Sequence, residues 1–171
     1  MILENKEIWK QRMNNLIERR KTYSRSAPST LPTYEEMLSV FTIGKTVLDV
    51  GCGDMNIKNY LSDREYVGID AFPCSDKVIK AEIETYAPGR QFETIICFAV
   101  LDGVWSFEKV IDNIKKLCIK NIIILTGIDI EPDQYHTFKI EEKTLIEKLK
   151  PFKITFSQYL APKLLLCEFS I

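Results

Sequence analysis

Apolar residues fall into two rhythms that divide the chain. Short apolar runs at 46–50, 66–70 and 121–125 read as strands, 92–99 as one buried on both faces by its continuous apolarity, and 77–84 as a further strand that ends in acid. Between them Ile57, Tyr60 and Leu61, and then Phe107, Val110, Ile111, Ile114 and Leu117, recur at helical spacing. Strands alternating with helices predict an α/β, doubly wound parallel sheet with right-handed crossovers. The C-terminal third changes rhythm. A short helix over 141–149 stops at Pro151, and Phe152, Ile154 and Phe156 then alternate with Lys153, Thr155 and Ser157. Ala161 and Pro162 turn the chain into a last strand over 164–169, and so short a link makes an antiparallel hairpin. Residues 4–22 read as an amphipathic helix whose apolar stripe is Ile8, Trp9, Met13, Leu16 and Ile17. A loop with two prolines follows over 24–32, and Thr33 with Glu36 fits a capping box that opens a helix through Phe41. The expected organisation is a helical cover segment, 1–42, on a core of 43–171 within one domain.

Composition narrows the setting. A chain of 171 residues with 46% apolar and 27% charged residues can bury a core unaided. Its net charge of −1 argues against nonspecific attraction of the whole molecule to nucleic acid. Residues 1–25 do carry seven Lys/Arg against three Glu, either a solvated face or a contact surface for an anionic substrate. The five cysteines are widely spaced, without a C-x-x-C pair, so neither a metal site nor a disulfide framework is expected. Reduced thiols and a polar N-terminus fit a cytoplasmic protein. The longest apolar run, 95–101, is too short to cross a bilayer.

The chemistry concentrates at strand ends. Gly51 and Gly53 follow the first strand with one residue between them, allowing a tight turn and a close backbone approach by a ligand. The following helix would turn its unsatisfied N–H groups toward that ligand. Asp49 adds a carboxylate for a cationic group. Asp70 ends the second strand, 17 residues beyond Gly53, where a carboxylate can accept from both hydroxyls of a ribose. A dinucleotide-binding turn would want its third glycine at 56, where Asn56 stands.

The D-x-G-x-G pattern at Asp49, Gly51 and Gly53, with Asp70 in step and the terminal hairpin, resembles the class I S-adenosylmethionine-dependent methyltransferases. The resemblance runs from Val47 to Ile171, about three quarters of the chain, and implies their seven-stranded Rossmann-like sheet. The stretch 92–104 resembles the family's fourth motif. His136, Thr137 and Phe138, followed by Leu145, Leu149 and Phe152, are similar to a segment of small-molecule methyltransferases. Three departures stand out: Glu93 replaces the usual Asp, Gly103 the usual His, and the third glycine is missing.

Carried over by position, the resemblance implies S-adenosyl-L-methionine as cofactor. Asp49, Gly51, Cys52 and Gly53 would hold its methionine moiety. Asp70, with Ala71 beside it, would hold the ribose. Glu82 and Ile83 would meet the adenine, with Glu84 in that place if the register slips by two. Cys97 and Phe98 would line the space beside the sulfonium, or else pack the core. His136, the single histidine, is the candidate catalytic base, or else a structural residue. No metal is implied. The expected reaction is methyl transfer to an O or N acceptor, a small molecule first and RNA or protein second. Two readings compete: a methyltransferase-like binding subunit without activity, and an NAD-linked enzyme, which Asn56 and the terminal hairpin disfavour. Residues 1–42 would cover the donor, with Trp9 and Tyr34 as contacts.

Overall fold

The computed structural model describes residues 6–22, 31–73, 75–133 and 136–171, with no side chain described over 16–22. The expected helix start at residue 4, the side chains of Leu16 and Ile17, and most of loop 24–32 lie outside these residues. In chain order come α1 (Lys6–Thr22), α2 (Tyr34–Ser39), β1 (Thr46–Val50), β2 (Glu65–Asp70), β3 (Ile79–Lys80), β4 (Phe92–Phe98) and α3 (Phe107–Leu117). Then follow β5 (Cys118–Gly127), α4 (Glu142–Lys148), β6 (Lys153–Ala161) and β7 (Leu164–Ser170).

The strands form one sheet in the order β3-β2-β1-β4-β5-β7-β6. Strands β1 to β5 pair in parallel, while β7 runs antiparallel to both β5 and β6. This is the expected doubly wound sheet with its terminal hairpin. Alternation of side chains across β1, β4 and β5 divides the core in two. Leu48, Val50, Ile95, Ile122 and Ile124 pack with α3 and with Leu145 and Leu149 on one face. Val47, Ile96, Ile123 and Leu125 pack with Met37 and Leu38 of α2 on the other. The register is level where it matters: Val50 pairs with both Ile69 and Cys97, and Ile69 pairs with Ile79. Chain segments leaving β1, β2, β3 and β4 therefore emerge side by side along the carboxyl edge.

Three local expectations are corrected. The helix expected after the glycine turn is a five-residue 3-10 turn, Asn56–Tyr60. Only residues 54–64 separate the turn from β2, and Met55 spends one of them in the left-handed region at φ 56°. No helix N-terminus therefore faces the strand ends there. The third strand, expected over 77–84, is paired only at Ile79–Lys80. Beyond it Thr85 and Tyr86 donate to the carbonyls of Glu82 and Ile83, so the chain turns and sends Ile83 into the core. On α1, Trp9 is 4% exposed but Ile8 is 54% exposed. The face that packs runs through Lys6, Trp9 and Met13, one helical stripe.

The capping box is present: Thr33 Oγ1 accepts from Glu36 N–H, and Glu36 accepts from Thr33 N–H at 2.7 Å. The chain then reaches β1 through a buried polar knot. Thr94 Oγ1 accepts from Gly44 N–H (2.8 Å) and donates to Asn121 Oδ1 (2.6 Å), whose amide donates to Thr42 O and Glu168. Among the described residues no helix is long and apolar enough to cross a membrane.

Candidate functional site

A cavity of about 440 Å³ opens over the carboxyl ends of β1, β2, β3 and β4, within the range of small-molecule sites. Val50 and Ile69 form its floor, and Trp9 and Met13 of α1 reach over it.

The two glycines of the turn serve different neighbours. Gly51 has φ 68°, and a Cβ there would collide with Val100 Cγ2, so Val100 lies directly on the turn. Gly53 has φ 50° with nothing within 4 Å of its missing Cβ, so its backbone is the part open to a ligand. Cys52, between them, does not line the cavity. Its thiol is turned back toward Gly68, leaving no room for a Cβ there, and burial pushes it up to about 12.

Asp49 is also behind the turn rather than in the cavity. It is 1% exposed, and Oδ2 accepts from the Tyr66 hydroxyl at 2.5 Å. Burial raises its carboxyl to about 7, against the opposing effect of the Tyr66 hydrogen bond. It supports the turn from the α2 side of the sheet.

Asp70, Ala71, Glu82 and Ile83 all line the cavity. The Asp70 carboxylate ties its end of the site together, accepting from Gly53 N–H (3.1 Å) and Phe72 N–H (2.7 Å). Each oxygen keeps capacity for a further donor. Past β3, Glu82 accepts from Trp105 Nε1 (3.3 Å) and pairs with Lys6 Nζ at 2.6 Å. Glu84 lines the same wall, with Oε1 accepting from Trp105 N–H at 3.1 Å. Burial raises the Glu84 carboxyl, and those N–H bonds oppose the rise.

At β4 the expectation is corrected. Cys97 is fully buried in the α3-side core, and Phe98 lies in the other core, stacked on Tyr34 at 6.2 Å. Neither lines the cavity, and Tyr34 does not reach it. Their place is taken by Ala99 and Val100, one step later along the chain. Ala99 leaves β4 at φ 56° while its N–H still donates to Leu125 O at 2.7 Å. That left-handed residue directs the chain across Gly51.

Two further parts went unread in the sequence. Trp105 joins Glu82 to Glu84, and Asp102 lines the cavity next to Gly103 and Val104. His136 does not line it, but its Nε2 stands 3.6 Å from Asp102 Oδ2 and its Nδ1 2.8 Å from Asp133 Oδ1. Over the top, Trp9 Nε1 donates to Gly103 O at 2.7 Å and its ring rests on Phe72 at 5.4 Å. Among the described residues no group of His, Cys, Asp and Glu is placed to hold a metal.

No protein-family model matches the sequence, and no curated protein matches it either. Solved structures do. The 1,6-didemethyltoxoflavin-N1-methyltransferase of Burkholderia thailandensis, bound to 1,6-didemethyltoxoflavin and S-adenosylhomocysteine, is 13% identical with a TM-score of 0.76, covering 99% of this chain and 92% of that one. A SAM-dependent methyltransferase from Aquifex aeolicus is 17% identical with a TM-score of 0.68, covering 90% and 97%. The magnesium protoporphyrin IX methyltransferase of Synechocystis PCC 6803, bound to S-adenosylhomocysteine, is 13% identical with a TM-score of 0.67, covering 92% and 94%. At such identities the likeness establishes the fold: this chain has the fold of the class I S-adenosylmethionine-dependent methyltransferases.

Proposed function

We propose that this protein is an S-adenosylmethionine-dependent methyltransferase acting on a small molecule. One observation carries the reading. A single cavity is bounded, strand by strand, by the open backbone of Gly53, the Asp70 carboxylate and the Glu82–Ile83 pair. These match the parts of a nucleoside joined to an amino acid. Ile83, Ala81 and Val104 offer apolar surface for a flat base, and Glu82 an acceptor for an exocyclic amine. Asp70 can accept from ribose hydroxyls. Gly53 leaves room for the amino-acid chain, on a turn that Gly51 packs against Val100 and that Asp49 supports from beneath.

When bound, S-adenosylmethionine supplies a methyl group already activated on a sulfonium. The protein's own work is then orientation and exclusion of water. Trp9 and Met13 of α1 close the cavity from above as its cover, whereas α2, the other helix of the expected 1–42 cover segment, packs through Met37 and Leu38 into the core on the face of the sheet opposite α3. His136, reached through Asp102, is the base for an acceptor that must lose a proton. A small acceptor suits a site roofed by its own helix. The unpaired thiols Cys52, Cys97, Cys118 and Cys167 suit a reducing, cytoplasmic setting.

Calorimetric titration with S-adenosylmethionine, S-adenosylhomocysteine and NAD tests this reading. The expected result is micromolar binding of the first two and none of NAD. Binding of NAD alone would refute it.

A further inference from the structure

We infer that Lys6, on the α1 cover, is a positioning residue for the donor's base. It holds the Glu82 carboxylate toward an exocyclic amine, so the cover settles over an adenine and not over a purine with oxygen in that place. The inference rests on the donor reading above.

Helix α1 crosses the cavity along one stripe. Lys6, Trp9 and Met13 are spaced three and four residues apart and share one side of the helix. Met13 lines the cavity, and Trp9 reaches Gly103 beyond β4. At its other end the stripe meets the segment past β3, where Lys6 Nζ stands 2.6 Å from Glu82 Oε2. The same oxygen accepts from Trp105 Nε1 at 3.3 Å. Trp105 is itself fixed: its N–H donates to Glu84 Oε1 at 3.1 Å, and Lys109 of α3 lies 4.5 Å from the centre of its ring. Lys6 Nζ is 4.9 Å from that centre, so one ammonium meets both a carboxylate and an aromatic face. A lone ion pair on a surface contributes little. This pair is backed by an indole N–H, and the Glu82 side chain, 22% exposed, belongs to the cavity wall.

Two donors on Oε2 fix the rotation of the carboxylate, and the accepting capacity of Oε1 is additional to them. An ionised carboxylate accepts and does not donate. The adenine amine offers it N–H donors, whereas a ring carbonyl in that position would set one oxygen lone pair against another. Without Lys6 the Glu82 side chain regains rotamers, and part of the preference goes with that freedom. Because Lys6 rides on α1, base reading and closure are one event. A base that satisfies Glu82 leaves the ion pair in place and the cover down. A base that repels Glu82 pushes the carboxylate off Lys6 and frees the cover.

Two ligands that differ in this group test the inference: S-adenosyl-L-homocysteine and S-inosyl-L-homocysteine, each titrated into the full chain. The wild type should prefer the first at least about tenfold. Lys6 lies outside both cores, so Lys6→Met should keep its melting temperature while the preference falls at least about threefold. Lys6→Arg should retain most of the preference. Trp9→Phe, which loosens the cover without touching Glu82, should weaken both ligands alike. In a Glu82→Gln background, Lys6→Met should change the preference no further. Equal weakening of both ligands by Lys6→Met would make Lys6 a simple latch and overturn the inference. An unchanged preference in Lys6→Met, or a Lys6→Met effect that persists in Glu82→Gln, would overturn it as well. Failure of the wild type to bind S-adenosyl-L-homocysteine would instead remove the donor reading on which it stands.

Discussion

The two ends of the cavity are built by opposite means. Over β1, β2 and β3 the wall is backbone held by its own neighbours in the sheet. Gly51 N–H and Cys52 N–H both donate to Ile69 O, Gly53 N–H donates to Asp70, and Ala81 N–H to Asp70 O. Over β4 the wall is assembled from α1 and residues 99–104, far apart in sequence, with Thr137 and Phe138 bonded behind it. Its ties are single contacts between segments, such as Trp9 to Gly103 and Thr137 to Asp102. The first end is shaped before any ligand arrives and suits a group that never changes. The second can be rebuilt by altering one segment, which suits an acceptor that differs from protein to protein.

The strongest way to break this contrast is at the turn itself. Gly51→Ala adds a Cβ where φ is 68° and Val100 already occupies the space. Left-handed strain and overpacking together should cost about 2–5 kcal/mol of stability. A denaturant titration measures it, and a loss under 1 kcal/mol would show that the turn is not rigid.

Asp49 tests the support beneath the turn. Its folded carboxyl lies near 7 and its unfolded value near 3.8. Between these values the folded chain keeps a proton that the unfolded chain has released. Stability is therefore greatest below that window and falls as pH rises through it, by at most about 4 kcal/mol. Asp49→Asn keeps an acceptor for Tyr66 but cannot ionise, so its stability should lack this decline. Urea midpoints from pH 4 to 8 for both proteins compare the slopes, and parallel curves would mean that Asp49 is ionised in the fold.

The same contrast explains what the sequence discloses. The positions of the glycine turn and Asp70 at strand ends, and the terminal hairpin, were legible because each is set by the apolar runs of its own strands, whereas Glu82 lies beyond the two paired residues of β3. Cys97 and Phe98 were misread because β4 ends at Phe98 and the cavity begins only with Ala99, whose left-handed φ no apolar pattern signals. The helix after the turn failed for want of chain length. Asp102 and Trp105 were invisible because their partners, His136, Glu82 and Glu84, come from other segments. Contacts of that kind follow from topology, not from local rhythm.

Asp70→Ala sharpens the proposed donor end. It removes a carboxylate that would accept from a ribose and also frees Gly53 and Phe72 N–H. Hydrogen bonds to a charged acceptor contribute about 1.5–3 kcal/mol each, so S-adenosylhomocysteine affinity should drop at least tenfold. Calorimetry on the folded variant decides it, and unchanged affinity would put the ribose elsewhere.

The smallest effect should come from the cover. Trp9→Phe keeps an aromatic ring against Phe72 but loses the N–H that Gly103 O accepts. One neutral hydrogen bond is worth about 0.5–1.5 kcal/mol. The sheet and both cores lie outside α1, so the melting temperature should barely move. Lys6 still ties the helix to Glu82, so the cover should loosen rather than detach. The loss should therefore appear in kinetics: faster dissociation of S-adenosylhomocysteine, by roughly two- to tenfold, with little change in association. Stopped-flow dissociation separates the outcomes. An unchanged off-rate would mean that α1 does not hold the ligand in. A large drop in melting temperature would make Trp9 part of the core rather than of a movable cover.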